Sequence, residues 1–238
     1  MADQNHTVTR RLAAEFVGTG VLVAAVVGSG IMATRLSDDV GVELLINALA
    51  TVAALGVLIA TLGPISGAHL NPAVTAVTAV RRELSWGEAG GYAGVQIVGA
   101  VAGVMLANVM FGLPAIDRST HVRHGAGVLL GEVVATAGLL WVIGALTRTG
   151  RSHLGPVLVP AWIGAAYFFT ASTSFANPAV TIGRSLTDSF AGIAPSSVTL
   201  FIVFQLVGAA VGAGLTEVFY PLHGAAPPPL DLPEAVHE

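Results

Sequence analysis

Two short motifs contain the residues best suited to act on a small molecule. The tripeptide NPA occurs twice, as Asn71-Pro72-Ala73 and as Asn177-Pro178-Ala179. Asparagine is a preferred N-cap and proline is favoured in the first helical turn, so each copy predicts the start of a short helix. The positive end of that helix lies at the asparagine, whose side-chain amide carries two N–H donors. Each motif therefore offers hydrogen-bond donors beside a partial positive charge.

The composition places these motifs in a membrane protein. The chain has 238 residues, of which 54% are hydrophobic and 10% charged, and its mean hydropathy is +0.78. Such values are typical of a chain that spans a lipid bilayer. Cysteine is absent, which excludes disulfides and thiolate chemistry. The net charge of −4 and the lack of a basic patch argue against nucleic-acid binding. No cofactor and no metal site are predicted.

Apolar runs divide the chain into two similar halves. The predicted spans are Leu12–Ala33, Gly41–Leu62 and Ala89–Phe111 in the first half, and Gly125–Leu146, Pro156–Ala171 and Val198–Tyr220 in the second. The predicted short helices are 71–80 and 177–186, each too short to cross a core of roughly 30 Å. The predicted organisation is an N-terminal segment 1–11, a first repeat 12–111, a connector 112–124, a second repeat 125–220 and a disordered tail 221–238.

The halves correspond in their polar residues as well as in their spans. Glu15 matches Glu132, and Gln96 matches Gln205. Because each half has an odd number of spans, the second half must be inverted relative to the first. The short helices then enter from opposite faces and meet at the midplane, and their non-helical lead-in loops must line a polar cavity or be buried in protein. The predicted fold is an all-α membrane protein with six transmembrane helices and two re-entrant half-helices.

The arginines indicate the orientation. The six arginines predicted on one side are Arg10, Arg11, Arg81, Arg82, Arg148 and Arg151, and the four on the other side are Arg35, Arg118, Arg123 and Arg184. The positive-inside rule therefore predicts cytoplasmic N- and C-termini for a multi-pass protein of the inner (plasma) membrane.

These motifs resemble those of the aquaporin or major intrinsic protein family. The resemblance rests on AEFVGT at 14–19, on SGAHLNPAVT at 66–75 and on the second NPA, and it covers roughly residues 12–220. It implies a right-handed helical bundle with one pore per chain, assembled as a homotetramer. It also implies passive passage of water or small neutral solutes.

Such a pore needs hydrogen-bond acceptors as well as the asparagine donors. The lead-in loops are expected to supply a ladder of carbonyl oxygens, from Gly67, Ala68, His69 and Leu70 on one side and from Ser174, Phe175 and Ala176 on the other. A hydroxylated neutral molecule can exchange its bonds to water for these groups. A cation loses its hydration, at an idealised cost on the order of tens of kcal/mol, and meets two positive helix ends.

The predicted selectivity filter departs from the family pattern. Most members carry arginine directly after the second NPA, and here that position is Val180. Counting from the NPA asparagines gives the other three filter positions as Thr51, Ala165 and Ser174. This filter is small and uncharged, which favours a wide pore that passes solutes larger than water.

Two further runs resemble a particular bacterial branch of the family. These are GLPAIDRSTHVRHG at 112–125 and TASTSFANPAVTIGRSLTDSFAGIAP at 170–195. The branch is associated with arsenic-resistance genes, which implies As(OH)₃ or its methylated forms as solutes. The physical argument alone does not separate As(OH)₃ from glycerol.

Several residues admit two interpretations. Glu15 and Glu132 either brace the NPA loops or serve an ion-coupled transporter as intramembrane acids. Arg184 either replaces the missing filter arginine or pairs with Asp188 four residues later. A water-selective channel is an alternative that Val180 argues against. A membrane enzyme is rejected because no nucleophile–base or metal-ligand cluster stands at a suitable spacing.

Overall fold

The computed structural model describes residues 7–221, and these are helical with no β-strand. The α-helices are α1 (Val8–Leu36), α2 (Val40–Ser66), α3 (Pro72–Val80), α4 (Trp86–Met110), α5 (Ala126–Arg148), α6 (Gly155–Phe169), α7 (Pro178–Arg184) and α8 (Pro195–Phe219). A short 3₁₀ helix at Ser152–Leu154 precedes α6. The all-α fold class predicted from the sequence is thereby confirmed.

Five of these helices, α1, α2, α4, α5 and α8, are long and apolar enough to cross a membrane. The remaining predicted span is α6, which has only 15 residues. At 1.5 Å per residue, α6 is about 22 Å long. The chain leaves the helix after Phe169 and turns back toward the second NPA motif, so this span is shorter than the other five.

The ends of the helices differ from the ends of the apolar runs that predicted them. Helix α1 begins at Val8 because the Thr7 hydroxyl accepts a hydrogen bond from the backbone N–H of Arg10 (3.3 Å). Helix α7 ends at Arg184, two residues before the predicted end. Apolar runs mark the part of a helix that faces lipid or core, whereas capping groups set where it starts and stops. The predictions for residues 1–6 and 222–238 lie outside the described residues.

Close glycine contacts join the same pair of helices in each half. In the first half, Gly103 of α4 lies so near Gly20 of α1 that a Cβ atom would overlap the Gly20 carbonyl oxygen. In the second half, Gly212 of α8 lies in the same way against Ala137 of α5. Small residues let membrane helices approach closely. The paired helices α1–α4 and α5–α8 form the rigid frame that holds the two half-helices.

The two ends of the bundle can be distinguished by their polar contacts. At the end where the described chain starts and stops, here called the termini side, Glu217 accepts a hydrogen bond from Arg148 (2.6 Å) and lies 3.7 Å from the Nε of Arg81. At the opposite end, the connector side, the loop between the repeats pairs with the segment after α7. There the Ser119 N–H donates to the Ser185 carbonyl (3.1 Å).

Candidate pore

Each NPA asparagine caps its own half-helix. The Oδ1 of Asn71 accepts the backbone N–H of Ala73 (2.9 Å), and the Oδ1 of Asn177 accepts that of Ala179 (3.0 Å). Both asparagines have extended backbone angles, and a proline follows each as the first helical residue. The predicted helix starts are therefore observed in both halves, and the two side chains are fixed by their own helices.

The same asparagines also bond across the pseudo-symmetry axis. The Nδ2 of Asn71 donates to the carbonyl of Ala176 (2.8 Å), and the Nδ2 of Asn177 donates to that of Leu70 (2.7 Å). An amide nitrogen carries two hydrogens, so each asparagine keeps one N–H beyond the bond that joins the loops. Two N–H donors thus remain, side by side, at the point where the half-helices meet.

The lead-in loops adopt an unusual backbone conformation. Several of their non-glycine residues are left-handed, with φ values of 46° at Ala68, 48° at Leu70, 60° at Thr173, 52° at Ser174 and 47° at Ala176. Non-glycine residues in this region cost about 1–3 kcal/mol each and persist only where their surroundings hold them. The loops therefore require specific support from the helices around them.

This conformation leaves several predicted carbonyl acceptors open. Among residues 7–221, no donor bonds to the carbonyl oxygens of Gly67, Ala68, His69, Ser174 and Phe175. The carbonyls of Leu70 and Ala176, which the sequence also predicts to serve the pore, each accept one bond from an NPA asparagine and keep a second lone pair. Both residues belong to the lining of the cavity described below.

Glu15 supplies the support in the first repeat. Its Oε1 accepts the Ser66 hydroxyl (2.6 Å) and the His69 N–H (2.9 Å), and its Oε2 accepts the Leu70 N–H (2.7 Å) and the Gln96 amide (2.8 Å). The carboxylate is completely buried and does not line the cavity described below. All of its described partners are groups of the loop or of the helices around it.

Glu132 repeats the arrangement in the second half. It accepts the N–H groups of Phe175 (2.9 Å) and Ala176 (3.0 Å) and the amide of Gln205 (2.6 Å). Glu132 is also completely buried and lies outside the cavity wall. Both carboxylates thus bond the strained loops, and neither lines the cavity described below.

A cavity of about 640 Å³, here called the main cavity, runs from the termini side past both asparagines. Its wall is largely aliphatic, with contributions from Leu22, Val26, Leu55, Ile59, Leu139, Ile143, Val159 and Ile163. Among residues 7–221, the Asp, Glu, Lys or Arg residues of its wall are Glu83 near the termini side and Arg184 near the connector side. Between these two levels, the polar groups of the lining are hydroxyls, amides, imidazoles and backbone atoms.

Three of the four predicted filter residues lie in this wall. Thr51, Ser174 and Val180 are buried and line the main cavity. The Oγ of Ser174 is buried and has no hydrogen-bond partner within the described chain. The Thr51 hydroxyl lies 3.2 Å from the hydroxyl of Tyr167, and this bond links α2 to α6.

The fourth predicted residue, Ala165, is not in the cavity wall but is exposed on the outer surface of α6. The helix directs Val159, Ile163 and Tyr167 toward the cavity at intervals of four residues. At about 100° per residue, position 165 lies roughly opposite position 163. Tyr167 therefore takes the place assigned to Ala165. The four-residue spacing of Val159, Ile163 and Tyr167 is visible in the sequence and points to Tyr167, whereas counting back from Asn177 does not use it.

Arg184 does not pair with Asp188. Helix α7 ends at Arg184, so Asp188 is not one turn further along the same helix. The Asp188 carboxylate accepts the N–H (2.8 Å) and the hydroxyl (3.0 Å) of Thr120, and the backbone bond from Thr120 lowers its pKa. The guanidinium of Arg184 instead stacks on Phe175, with Cζ 3.4 Å from the ring centre. The pairing interpretation is therefore wrong.

His69 contributes its backbone rather than its ring. The ring packs 5.3 Å from that of Tyr92, and its Nδ1 lies 3.1 Å from the Thr75 hydroxyl. Among the described residues, no group of three or more His, Cys, Asp or Glu side chains is placed to hold a metal ion. The geometry around His69 is therefore that of a packed loop residue whose carbonyl remains open.

Comparisons with known proteins agree with this geometry. The model of the family described as "Major intrinsic protein" matches residues 3–176. An aquaglyceroporin, AqpS of Rhizobium meliloti, is 49% identical over 212 residues, which cover 89% of this chain and 91% of the relative. A probable aquaporin of rice, TIP3-2, is 31% identical over 88% of this chain and 81% of its own. The crystal structure of an aquaglyceroporin from Plasmodium falciparum superposes with a TM-score of 0.65 at 21% identity, covering 90% of this chain and 96% of that one.

Proposed function

The chain belongs to the major intrinsic protein family, and we propose that it conducts glycerol-sized polyols, neutral arsenite and water passively through the main cavity. Membership of the family makes it a membrane channel for small solutes rather than an enzyme. The choice of solutes is our proposal, and it rests on the lining of the cavity.

The observation that carries the proposal is the pairing of donors and acceptors at the half-helix junction. Asn71 and Asn177 each keep one N–H, and the loop carbonyls beside them are open. A molecule with several hydroxyls can donate to those carbonyls and accept from those amides as it moves. A cation finds no carboxylate between Glu83 and Arg184 to replace its water, and it faces two helix N-termini.

The filter residues support a solute larger than water. Val180 leaves the wall uncharged where most of the family carries arginine, and Thr51 and Ser174 add short hydroxyl side chains. Both glycerol and As(OH)₃ are neutral near pH 7 and carry three hydroxyls. We infer that these hydroxyls bond the open loop carbonyls in succession.

A water-selective channel is the second candidate, and one observation favours it. Tyr167 adds an aromatic ring to the wall, and Arg184 adds a cation within one turn of Val180. Together they would narrow the passage to a single water if the tyrosine ring projects across it. The bond from Tyr167 to Thr51 holds the phenol near α2 and favours the wider passage.

The setting of the channel is also part of the proposal. Arg81 and Arg148 lie at the termini side, and the positive-inside rule then puts that side in the cytoplasm. The inner (plasma) membrane and a homotetramer are the expected location and assembly for such a channel.

A bulky substitution in the cavity wall tests the proposal. Val180→Trp should abolish glycerol and arsenite passage in proteoliposomes, because the indole fills the cavity beside Asn177. Leu130→Trp is the matched control, since Leu130 is exposed on the outer surface of α5. Glycerol flux that survives Val180→Trp would mean that solutes do not use this cavity, and loss of flux in both variants would indicate misfolding.

A further inference from the structure

We propose that Arg184 determines cation exclusion by acting as a charged partition between the main cavity and a second cavity on the connector side. The inference rests on the proposed channel function and concerns how that channel discriminates by charge. It assigns a selective role to a residue one helical turn beyond the predicted filter position.

Arg184 lies where two cavities adjoin. It lines the main cavity and also a smaller cavity of about 210 Å³ on the connector side. The smaller cavity is lined by Val40, Leu44, Asn47, Arg123, Thr173, Arg184 and Phe190. Among the described residues, it alone belongs to both linings. Its guanidinium therefore lies at the boundary between the two cavities.

The position of the guanidinium is fixed by buried neighbours. Its Nε donates to the backbone carbonyl of Ala191, and its plane lies over the Phe175 ring. That ring packs edge-on against Phe201 at 5.1 Å between centres, and the Phe175 N–H bonds Glu132. The side chain of Arg184 is only 3% exposed, so the partition is part of the packed structure.

The charge of Arg184 is not neutralised by a carboxylate. None of the salt bridges among residues 7–221 involves Arg184. Within the same residues, no hydrogen bond involves its two terminal nitrogens, which are therefore available to the cavities. A buried cation that no carboxylate contacts repels other cations, because few water molecules screen it.

Arg123 reinforces the positive field on one side of the partition. Its guanidinium lies 5.1 Å from the centre of the same Phe175 ring and donates to the carbonyl of Gly192 (2.9 Å). It lines only the connector-side cavity, which contains no acidic residue. A cation entering from that side would meet two guanidinium groups before it reached the asparagines.

The location of the charge has a consequence for size selection. Arg184 follows Val180 by four residues, so it lies about 6 Å further along the chain direction of α7. Val180 itself carries no charge. Size selection at Thr51, Ser174 and Val180 and charge selection at Arg184 therefore depend on different side chains of the same wall.

The test measures potassium and glycerol fluxes in proteoliposomes that contain the full chain. Arg184→Met removes the charge and keeps the length, and Arg184→Gln also keeps an N–H donor for the Ala191 carbonyl. Both variants should raise potassium flux about tenfold or more. Tenfold is the lower end of the range by which charged clefts change local ion concentrations. Arg184→Lys should keep potassium excluded.

Two controls make the result specific. Arg118→Met removes the same charge from an exposed site on the connector side that lines neither cavity, so it should not change potassium flux. Adding Val180→Arg to Arg184→Met should restore exclusion, because the charge returns one turn away on the same helix.

The outcomes separate this inference from the proposed function. If Arg184→Gln folds, conducts glycerol and still excludes potassium, Arg184 is not the charge barrier while the channel proposal stands. If the unmodified protein conducts no glycerol, the proposed solute range fails whatever the potassium result. If Arg184→Met and Arg184→Gln both fail to fold, an Arg184→Lys variant that leaks potassium would still overturn the inference.

Discussion

Replacing Glu132 by alanine removes the acceptor that holds the second NPA loop. Three hydrogen bonds are lost, namely those from the backbone N–H groups of Phe175 and Ala176 and one of the two from the Gln205 amide, which keeps its bond to the Thr181 hydroxyl (2.8 Å). Each buried donor left without a partner costs roughly 1–3 kcal/mol, so the loss is at least about 3 kcal/mol. The left-handed conformation of Ser174 and Ala176 adds strain that the lost bonds no longer help to offset.

The assay combines melting in detergent with solute flux. Glu132→Ala should lower the melting temperature by several degrees and reduce glycerol permeability, because the Asn177 amide is positioned by the same loop. Glu132→Gln keeps one acceptor oxygen, so its melting temperature and glycerol permeability should lie between those of Glu132→Ala and those of the unmodified protein. Leu130→Ala, on the lipid-facing side of the same helix, is the matched control and should leave both measurements nearly unchanged.

The result also decides between the two interpretations of the intramembrane acids. A bracing carboxylate affects stability and flux at every pH, because it does not itself carry protons across the membrane. A Glu132→Gln protein of unchanged stability that loses only a pH-dependent component of uptake would refute the bracing account and revive the coupled transporter.

Three other substitutions test separate parts of the structure. Val180→Arg should reduce glycerol and arsenite permeability while water still passes, and unchanged permeability to all three would remove Val180 from the filter. Gly103→Leu should destabilise the protein by about 1–3 kcal/mol, because it forces α1 and α4 apart. Val98→Leu, on the exposed side of α4, is the control and should leave the stability unchanged. Equal melting temperatures for the two variants would contradict the close packing. Because the pKa of Asp188 is lowered, its contribution to stability is present at neutral pH and is lost as the pH falls below its usual value of about 4. Asp188→Asn should therefore flatten the fall in melting temperature between pH 6 and pH 3, and an unchanged slope would assign that fall to other groups.

The parts of the fold that the sequence predicts are those governed by local and repeated signals. The N-caps at Asn71 and Asn177 follow from residue preference alone, and the structure has both. Glu15 and Glu132 could be paired across the repeat because each stands at the same place in its half. Their hydrogen bonds to the loops then follow from the need of buried acids for donors.

The filter region was less predictable because it depends on the path of the chain in three dimensions. Counting from Asn177 placed Ala165 in the pore, but the rotation of α6 turns Tyr167 inward instead. The early end of α7 likewise separates Arg184 from Asp188 and leaves the arginine on Phe175. Helix rotation and helix ends are set by tertiary packing, which residue counting does not contain.

The measurement that tests the central claim most directly is the glycerol permeability of proteoliposomes containing the unmodified protein, with water permeability and arsenite uptake recorded on the same vesicles. The account predicts that all three exceed those of empty vesicles, with glycerol flux proportional to its gradient and independent of sodium and of pH between 6 and 8. Water permeability alone above that of empty vesicles would contradict the wide filter, and accumulation of solute against its gradient would contradict a passive channel.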